Sequence, residues 1–448
     1  MEVASTRGLV LDILLETSQN GTYSHTAIAG VLDKYQYLDK KDRSFIKRMA
    51  EGTLEYQIQL DYIIGQYSKV PVRKMKPVIR NIIRSAVYQI YYMESVPDAA
   101  ACNEAVRLAK KRGFQNLGGF VNGVLRSIVR NKEKALLWPD KKKEPLQYLS
   151  VRYSIPEWII GMWKEEAGLT WEKDTDFQKM ERLLASFLMP APLTVRTDTS
   201  RCTPEELKRM LEAEGIQASI CSELPYAVRI SGYDHIRALP GYEEGLFYIQ
   251  DISSMLAAEA AHPEKNDFIL DVCAAPGGKA IQLAQMLQGT GQVLARDLTA
   301  YKVNLLHENI QRCQVKNMQA QVWDARIFDG TLEEKADIVV ADLPCSGLGV
   351  MRRKKDIRFH MTSDKIKELA GLQKEILDTV CRYVRPGGRM VYSTCTISRQ
   401  ENEENVQWFL NGHRQFELVK SRQILPGEHG GDGFFIAEFH RKDGVRPL

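Results

Sequence analysis

The chain has 448 residues, more than one ordinary hydrophobic core organises, so two or three domains are expected. Hydrophobic residues make up 44% and charged residues 26%, as in soluble globular proteins, and no apolar run approaches the roughly 20 residues that a membrane span needs. The net charge of +4 is unevenly spread: residues 1–145 carry 24 Lys and Arg against 15 Asp and Glu, residues 146–250 carry 11 against 16, and residues 251–448 carry 26 of each. A basic N-terminal third fits a polyanion partner, although a solvated helix surface would look the same by charge alone. Eight cysteines without paired spacing argue against a disulfide framework and against a metal site, and fit a reducing cytoplasmic setting.

The N-terminal segment places Leu9, Val10, Ile13 and Leu14 at helical spacing and carries acids at Glu2, Asp12 and Glu16, so it reads as a mature helix and not as a signal peptide. The same spacing recurs in RSFIKRMAEGTLEYQIQLDYIIGQY and VIRNIIRSAVYQIYYM, with Pro71, Pro77 and Pro97 as breaks. Residues 1–135 are therefore expected to form an all-α domain. The basic, Pro-containing stretch up to residue 147 predicts a linker over 136–147. Residues 148–250 mix helical pieces with short strands such as LTVRT and AVRIS, and predict a small α+β domain.

From residue 251 to 448 strands and helices alternate. FILDVC (268–273), QVLARD (292–297), MQAQVW and ADIVVADLP (336–344) read as strands, with a helix from Ala300 to about Arg312. Ser363 or Asp364 can cap a long helix with Ile366, Leu369, Ile376, Val380 and Val384 on one face, and Gly387-Gly388 then opens the strand RMVYSTC. This order predicts an α/β domain with a mostly parallel, doubly wound Rossmann-like sheet, whose ligands bind beyond the carboxyl ends of the strands. The loops after Cys273, Asp297, Asp342 and Tyr392 are then the ones that carry chemistry.

Asp271-Val-Cys-Ala-Ala-Pro-Gly-Gly-Lys279 joins a strand to a helix, where Gly277 and Gly278 let backbone approach a ligand. The loop is neither the G-x-G-x-x-G of dinucleotide sites nor a phosphate-binding P-loop. Asp297, at the end of the next strand, is placed to accept hydrogen bonds from ribose hydroxyls, so a nucleoside cofactor is expected. Cys345, in Asp342-Leu-Pro-Cys-Ser-Gly, and Cys395, in Ser393-Thr-Cys-Thr, each follow a central strand. A single free cysteine packs as a small hydrophobe more often than it reacts. Two of them at strand ends beside Asp342 and a glycine-rich turn favour nucleophilic chemistry. A thiolate that adds to an electron-poor ring carbon makes the neighbouring carbon nucleophilic, and an acidic group at the ring, a place Asp342 can take, stabilises the adduct.

In order and spacing, DVCAAPGGK, Asp297, Asp324, DLPCSGLGV and YSTCTISRQENE resemble the motif set of the RNA 5-methylcytosine methyltransferases. Within that family the chain looks like the Sun/RsmB type, because VPDAAACNEAVRLAK and FVNGVLRSIVR are similar to the NusB-like helical RNA-binding domain of that type. VRYSIPEWIIGMW, GLFYIQDISSML and GGDGFFIAEF match as well, so the resemblance covers nearly the whole chain. It implies S-adenosylmethionine as cofactor and a cytosine in 16S ribosomal RNA as substrate. It also implies that Cys273, Ala274, Ala275, Pro276, Gly277, Gly278 and Lys279 wrap the cofactor, with Asp297 on its ribose and Asp324 near its adenine. Asp342 would lie between cofactor and base, Cys395 would be the nucleophile, and Cys345 would assist product release. Arg352, Arg353 and Lys354 would meet RNA. No metal and no membrane are implied, and a monomer is expected.

Three positions depart from the family pattern: Ala280 where Thr or Ser is common, Lys355 where proline is usual, and Asp198 where asparagine is usual. DNA cytosine methyltransferases use a Pro-Cys nucleophile with a nearby Glu-Asn-Val, and this chain contains both Pro344-Cys345 and Glu404-Asn405-Val406. The latter falls in a predicted helix, and Thr394-Cys395 at the end of a strand resembles the RNA-type arrangement, which implies Cys395 as the nucleophile. A transfer RNA 5-methylcytosine enzyme and a non-catalytic antitermination or assembly factor are the alternative readings. The helical N-terminal third speaks against the first, and intact Asp342, Cys345 and Cys395 against the second.

Overall fold

A computed structural model describes residues 5–35, 37–132, 134 and 138–444. Glu2 and residues 136–137 of the expected linker lie outside the described residues. The chain forms two compact units, Met1–Leu188 with Met351–His360, and Met189–Val350 with Met361–Leu448.

The first unit is helical. It contains α1 (Thr6–Gln19), α2 (Ser24–Lys34), α3 (Lys40–Glu55), α4 (Gln57–Tyr67), α5 (Pro77–Tyr92), α6 (Asp98–Lys111) and α7 (Gly118–Arg130), then α8 (Pro145–Tyr153), α9 (Glu157–Glu166) and α10 (Asp174–Ser186). Ser5 caps α1 by accepting from the Gly8 amide at 3.2 Å, and Pro77 opens α5 where its missing N–H costs nothing. Leu9, Val10, Ile13 and Leu14, the apolar set that marked α1, are all buried in one core with Ile46, Leu60, Ile83, Val87, Val121 and Leu125.

The second unit holds two sheets. β1 (Leu193–Thr197), β2 (Gln217–Ile220), β3 (Ala227–Ser231) and β4 (Phe247–Ile249) form an antiparallel sheet in the order β2-β3-β1-β4, with α11 (Pro204–Ala213) between β1 and β2 in the chain. After α12 (Ile252–Glu259), a larger sheet is built from β5 (Phe268–Asp271), β6 (Gln292–Asp297), β7 (Met318–Val322), β8 (Ala336–Asp342), β9 (Val384–Thr394), β10 (Phe416–Ile424) and β11 (Phe434–Arg441). Its order is β10-β11-β9-β8-β5-β6-β7. Only β11 runs against its neighbours; β5 to β9 are parallel. The Rossmann-like, mostly parallel sheet expected from the alternation is thus present.

Successive residues of the central strands feed opposite faces, as the pleat requires. Ile269, Val293, Ile338, Val340 and Val391 pack with Ala257 and Ala258 of α12, Ile281, Leu283 and Ala284 of α13 (Gly278–Met286), and Val303 and Leu306 of α14 (Ala300–Arg312). Leu270, Val339, Ala341, Met390 and Tyr392 pack with Ile376, Leu377 and Val380 of α16 (Ser363–Val380) and Val406 and Phe409 of α17 (Glu403–Gly412). The short helix α15 (Ile357–His360) belongs to the first unit. Among the described residues no helix is long and apolar enough to cross a membrane.

Candidate functional site

β5 and β8 lie side by side, yet the chain leaves β5 towards β6 on one flank and β8 towards β9 on the other. The crevice beyond their carboxyl ends is therefore the switch point where such sheets bind ligands. Asp271 ends β5 and Asp342 ends β8. Lys279, in the first turn of α13, donates to Asp342 Oδ2 at 2.7 Å, and the Ser393 hydroxyl donates to Asp342 Oδ1 at 2.7 Å. Asp342 is thereby aimed from two sides. Asp271 is buried; its Oδ1 accepts from the Cys273 amide at 3.3 Å, while its Oδ2 is buried without a hydrogen-bond partner. Burial first, and the Asp342 charge second, push the Asp271 carboxyl up to about 7, with Lys279 pulling the other way.

A cavity of about 190 Å³ opens here, lined by Tyr248, Gln250, Asp251, Asp271, Cys273, Pro276, Gly278, Lys279 and Asp342 among others. A larger cavity of about 1000 Å³ is lined by Arg196, Gln285, Cys313, Lys316 and Asn317, and includes none of Asp271, Cys273, Asp342, Cys345 and Cys395. Its lining chemistry, not its size, makes the smaller one the candidate site.

The turn from Cys273 to Gly278 is fixed by its surroundings. The Ala275 amide donates to Asp297 Oδ2 at 3.0 Å, and the carbonyl of Pro276 accepts from the Tyr248 hydroxyl at 3.0 Å and from Asn309 at 2.9 Å. Gly277 has φ +114°, a conformation that side-chain-bearing residues rarely adopt, and forms the N-cap of α13. Asp297 also accepts from the Leu298 amide at 2.7 Å and pairs with Lys302 at 3.0 Å. The Trp323 amide donates to the Asp297 carbonyl at 2.9 Å and so ties the ends of β6 and β7 together. Asp324 is held by Arg326 at 2.6 Å, while Leu298 and Ile327 beside these acids remain exposed. Carboxylates at strand ends, apolar side chains next to them, and an orphaned carboxylate oxygen in the crevice suit a nucleoside that also carries a cationic amino-acid moiety. These residues fit S-adenosylmethionine.

The two thiols meet at the neighbouring strand ends. Cys345 Sγ and Cys395 Sγ are 3.3 Å apart, and both side chains keep partial exposure. The hydrogen bond with Cys395, burial and the charge of Glu401 all push the Cys345 thiol well up. Burial, then the charges of Asp271, Asp297 and Asp342, push the Cys273 thiol up as well, which keeps it a neutral wall of the crevice. Among the described residues no group of three or more His, Cys, Asp or Glu is arranged to hold a metal.

Sequence reasoning brought Cys273–Lys279, Asp297, Asp342, Cys345 and Cys395 into one region. The basic run Arg352–Lys354 belongs to the first unit. There Arg352 is buried, Arg353 is half-buried and Lys354 is exposed. Of the three departures, Ala280 is buried in α13, Lys355 pairs with Glu55, and buried Asp198 accepts from the Ser200 hydroxyl at 2.6 Å to shape the turn after β1. Glu404 is exposed on α17 and Asn405 donates inward to Gln373 at 2.8 Å, as residues of a helix. Asp271, Tyr248 and Gln250 were not singled out, although all three lie within stretches that carried the resemblance.

Three family descriptions match the chain in turn: the NusB family over residues 4–130, the ferredoxin-like domain of RsmF/B-like methyltransferases over 155–236, and 16S rRNA methyltransferase RsmB/F over 258–440. With the sheet order and the cofactor crevice, they define an S-adenosylmethionine-dependent RNA methyltransferase. The chain is 34% identical to the probable ribosomal RNA small subunit methyltransferase B of Bacillus subtilis (strain 168), over 99% of this chain and 100% of that one. It is 31% identical to the corresponding protein of Synechocystis sp., over 98% and 99%. The crystal structure of PH0851 superposes with a TM-score of 0.81 at 25% identity, covering 98% of this chain and 99% of the other. The chain belongs to the ribosomal RNA small subunit methyltransferase B family, and it methylates ribosomal RNA.

Proposed function

We propose that the chain methylates C5 of a cytosine in 16S ribosomal RNA through a covalent bond between Cys395 and C6 of the base. The observation that carries this reading is the 3.3 Å approach of Cys345 and Cys395 beside Asp342, at the carboxyl ends of adjacent strands. S-adenosylmethionine supplies the electrophilic methyl group. Cys273–Lys279 would hold it, with Asp297 at the ribose and Asp324 near the adenine.

The thiolate of Cys395 adds to C6, and the displaced π electrons make C5 nucleophilic. Asp342, aimed by Lys279 and Ser393, faces N3 and delivers a proton there, which neutralises the negative charge that thiolate addition puts on the ring. After methylation the C5 proton passes to water, the C5–H electrons re-form the C5–C6 double bond, and the S–C6 pair returns to the sulfur of Cys395. Cys345 assists that release. Attack is assigned to Cys395 because it stands in the stretch YSTCTISRQENE that resembles the family's nucleophile motif, with the Cys345 sulfur within hydrogen-bond reach of it. The target base must leave its stack to reach the crevice. Exposed Lys354 and half-buried Arg353 are the basic residues proposed to meet RNA phosphate, and buried Arg352 is assigned a packing role.

The test is label transfer from S-adenosylmethionine to naked 16S RNA with mapping of the product. Label at C5 of one cytosine is expected. Label only on another base or another ring position would overturn the reading.

A further inference from the structure

Glu401 is fully buried beneath the two thiols, and the chemistry above gives it no task. Its Oε1 accepts from the Ser346 amide at 2.8 Å and from Gln373 Nε2 at 3.1 Å, and its Oε2 accepts from the Ser346 hydroxyl at 2.5 Å. Ser346 Oγ lies 2.7 Å from Thr396 Oγ1. Ser346 directly follows Cys345, and Thr396 directly follows Cys395. The carboxylate thus holds Ser346 directly and reaches Thr396 through the Ser346 hydroxyl. The other flanks are tied into the same network. Gln373 donates to the carbonyl of Pro344 at 2.8 Å, and the Thr394 hydroxyl donates to Asn402 Oδ1 at 2.6 Å. Asn402 in turn donates to the Thr396 carbonyl at 3.2 Å.

Neither thiol stands on regular structure, since both lie in loops just past β8 and β9. Loops hold a reacting group less precisely than strands do, unless supporting hydrogen bonds fix them. A fully satisfied buried network is the device that does so. We propose that Glu401 is a positioning residue for methyl transfer: through Ser346 and Thr396 it fixes the two cysteine loops against each other, so that Cys345 stands where it resolves the adduct formed by Cys395. This rests on the assignment of attack to Cys395 and release to Cys345.

The test compares full-length Glu401→Ala, Glu401→Gln, Ser346→Ala and Cys345→Ala proteins on 16S RNA. The covalent protein–RNA adduct is followed on denaturing gels, S-adenosylmethionine affinity by calorimetry, and folding by Tm. Glu401→Ala and Ser346→Ala are expected to form the adduct and to release it at least about tenfold more slowly, as small misplacements of reacting groups do. Their affinity for S-adenosylmethionine should stay within about twofold of wild type, a split that a general loss of folding would not produce. Glu401→Gln can keep all three hydrogen bonds by reversing the donor at Ser346, so its release rate should lie within about threefold of wild type. Wild-type release in Glu401→Ala or Ser346→Ala overturns the proposal, as does Glu401→Gln behaving like Glu401→Ala. Should Glu401→Ala fail to fold, Ser346→Ala and Glu401→Gln decide. Adduct accumulation in Cys345→Ala but not in Ser346→Ala defeats this inference alone, whereas no adduct in Cys345→Ala defeats the underlying reading of the thiols.

Discussion

The sulfurs of Cys345 and Cys395 lie 3.3 Å apart although 50 residues separate them in the chain. The parallel register of β8 and β9 brings this about. Asp342 pairs with Ser393, and the thiols follow three and two residues later in loops that leave the sheet at the same end. A pair of adjacent strands thus delivers an acid, a hydroxyl and two thiols to one spot.

Asp271 gives the crevice a pH signature. Its carboxyl is raised in the folded protein, to about 7, from an ordinary value near 3.8. Between these values the folded state binds more protons than the unfolded state, so stability falls as pH rises through that window and levels off above it. Asp271→Asn can still accept from the Cys273 amide and has no charge to bury. Urea unfolding at pH 5 and pH 8 should show the variant gaining stability over wild type at the higher pH. An equal difference at both would contradict the account.

Gly277 should not tolerate a side chain. Its φ of +114° is strained for any L-residue with a Cβ, and a Cβ there would meet Ile281 and Leu306 at 3.2 Å. Gly277→Ala is expected to cost about 1–3 kcal/mol of stability and to weaken S-adenosylmethionine binding, because the turn that holds the crevice wall must shift. Denaturant midpoints together with calorimetric titration check both. Unchanged affinity in the variant would show that the turn does not shape the cofactor site.

Arg352 and Lys354 should separate by what their loss affects. Lys354→Ala removes one exposed cation and should leave Tm unchanged while reducing the salt slope of RNA binding by about 0.7–0.9. Arg352→Ala removes a buried side chain and should lower Tm. Binding titrations at several salt concentrations, with thermal melts beside them, distinguish the two. A Tm loss confined to Lys354→Ala would reverse the assignment.

Local periodicity was enough to read the strands Leu193–Thr197 and Ala227–Ser231 and the helix Ala300–Arg312 at their observed bounds. Five or more residues in one apolar pattern settle such elements without help from the rest of the chain. Val384 was read into the helical face that begins at Ser363, but α16 stops at Val380 and Val384 starts β9. A short 3-10 turn, Cys381–Tyr383, makes the change, and its buried Cys381 and Tyr383 carry the apolar pattern past the end of the helix. The β10–β11 hairpin was not anticipated, because β10 is largely exposed and alternates weakly. The thiols and acids of the candidate site stand at strand ends or in the loops just past them, places that the alternation of strands and helices marks in the sequence. Glu401 was not legible, since its partner Ser346 lies 55 residues away and nothing local marks the contact. The burial of Arg352 was hidden for the same reason: a basic run shows charge in sequence and shows exposure only in three dimensions.

The assignment of roles to Cys345 and Cys395 is tested most directly by covalent capture. Wild-type, Cys345→Ala and Cys395→Ala proteins are incubated with 16S RNA and S-adenosylmethionine, and adducts that survive denaturation are counted by mass. The account predicts an adduct that accumulates in Cys345→Ala and is missing, together with methylation, in Cys395→Ala. A stable adduct formed by Cys395→Ala would contradict it.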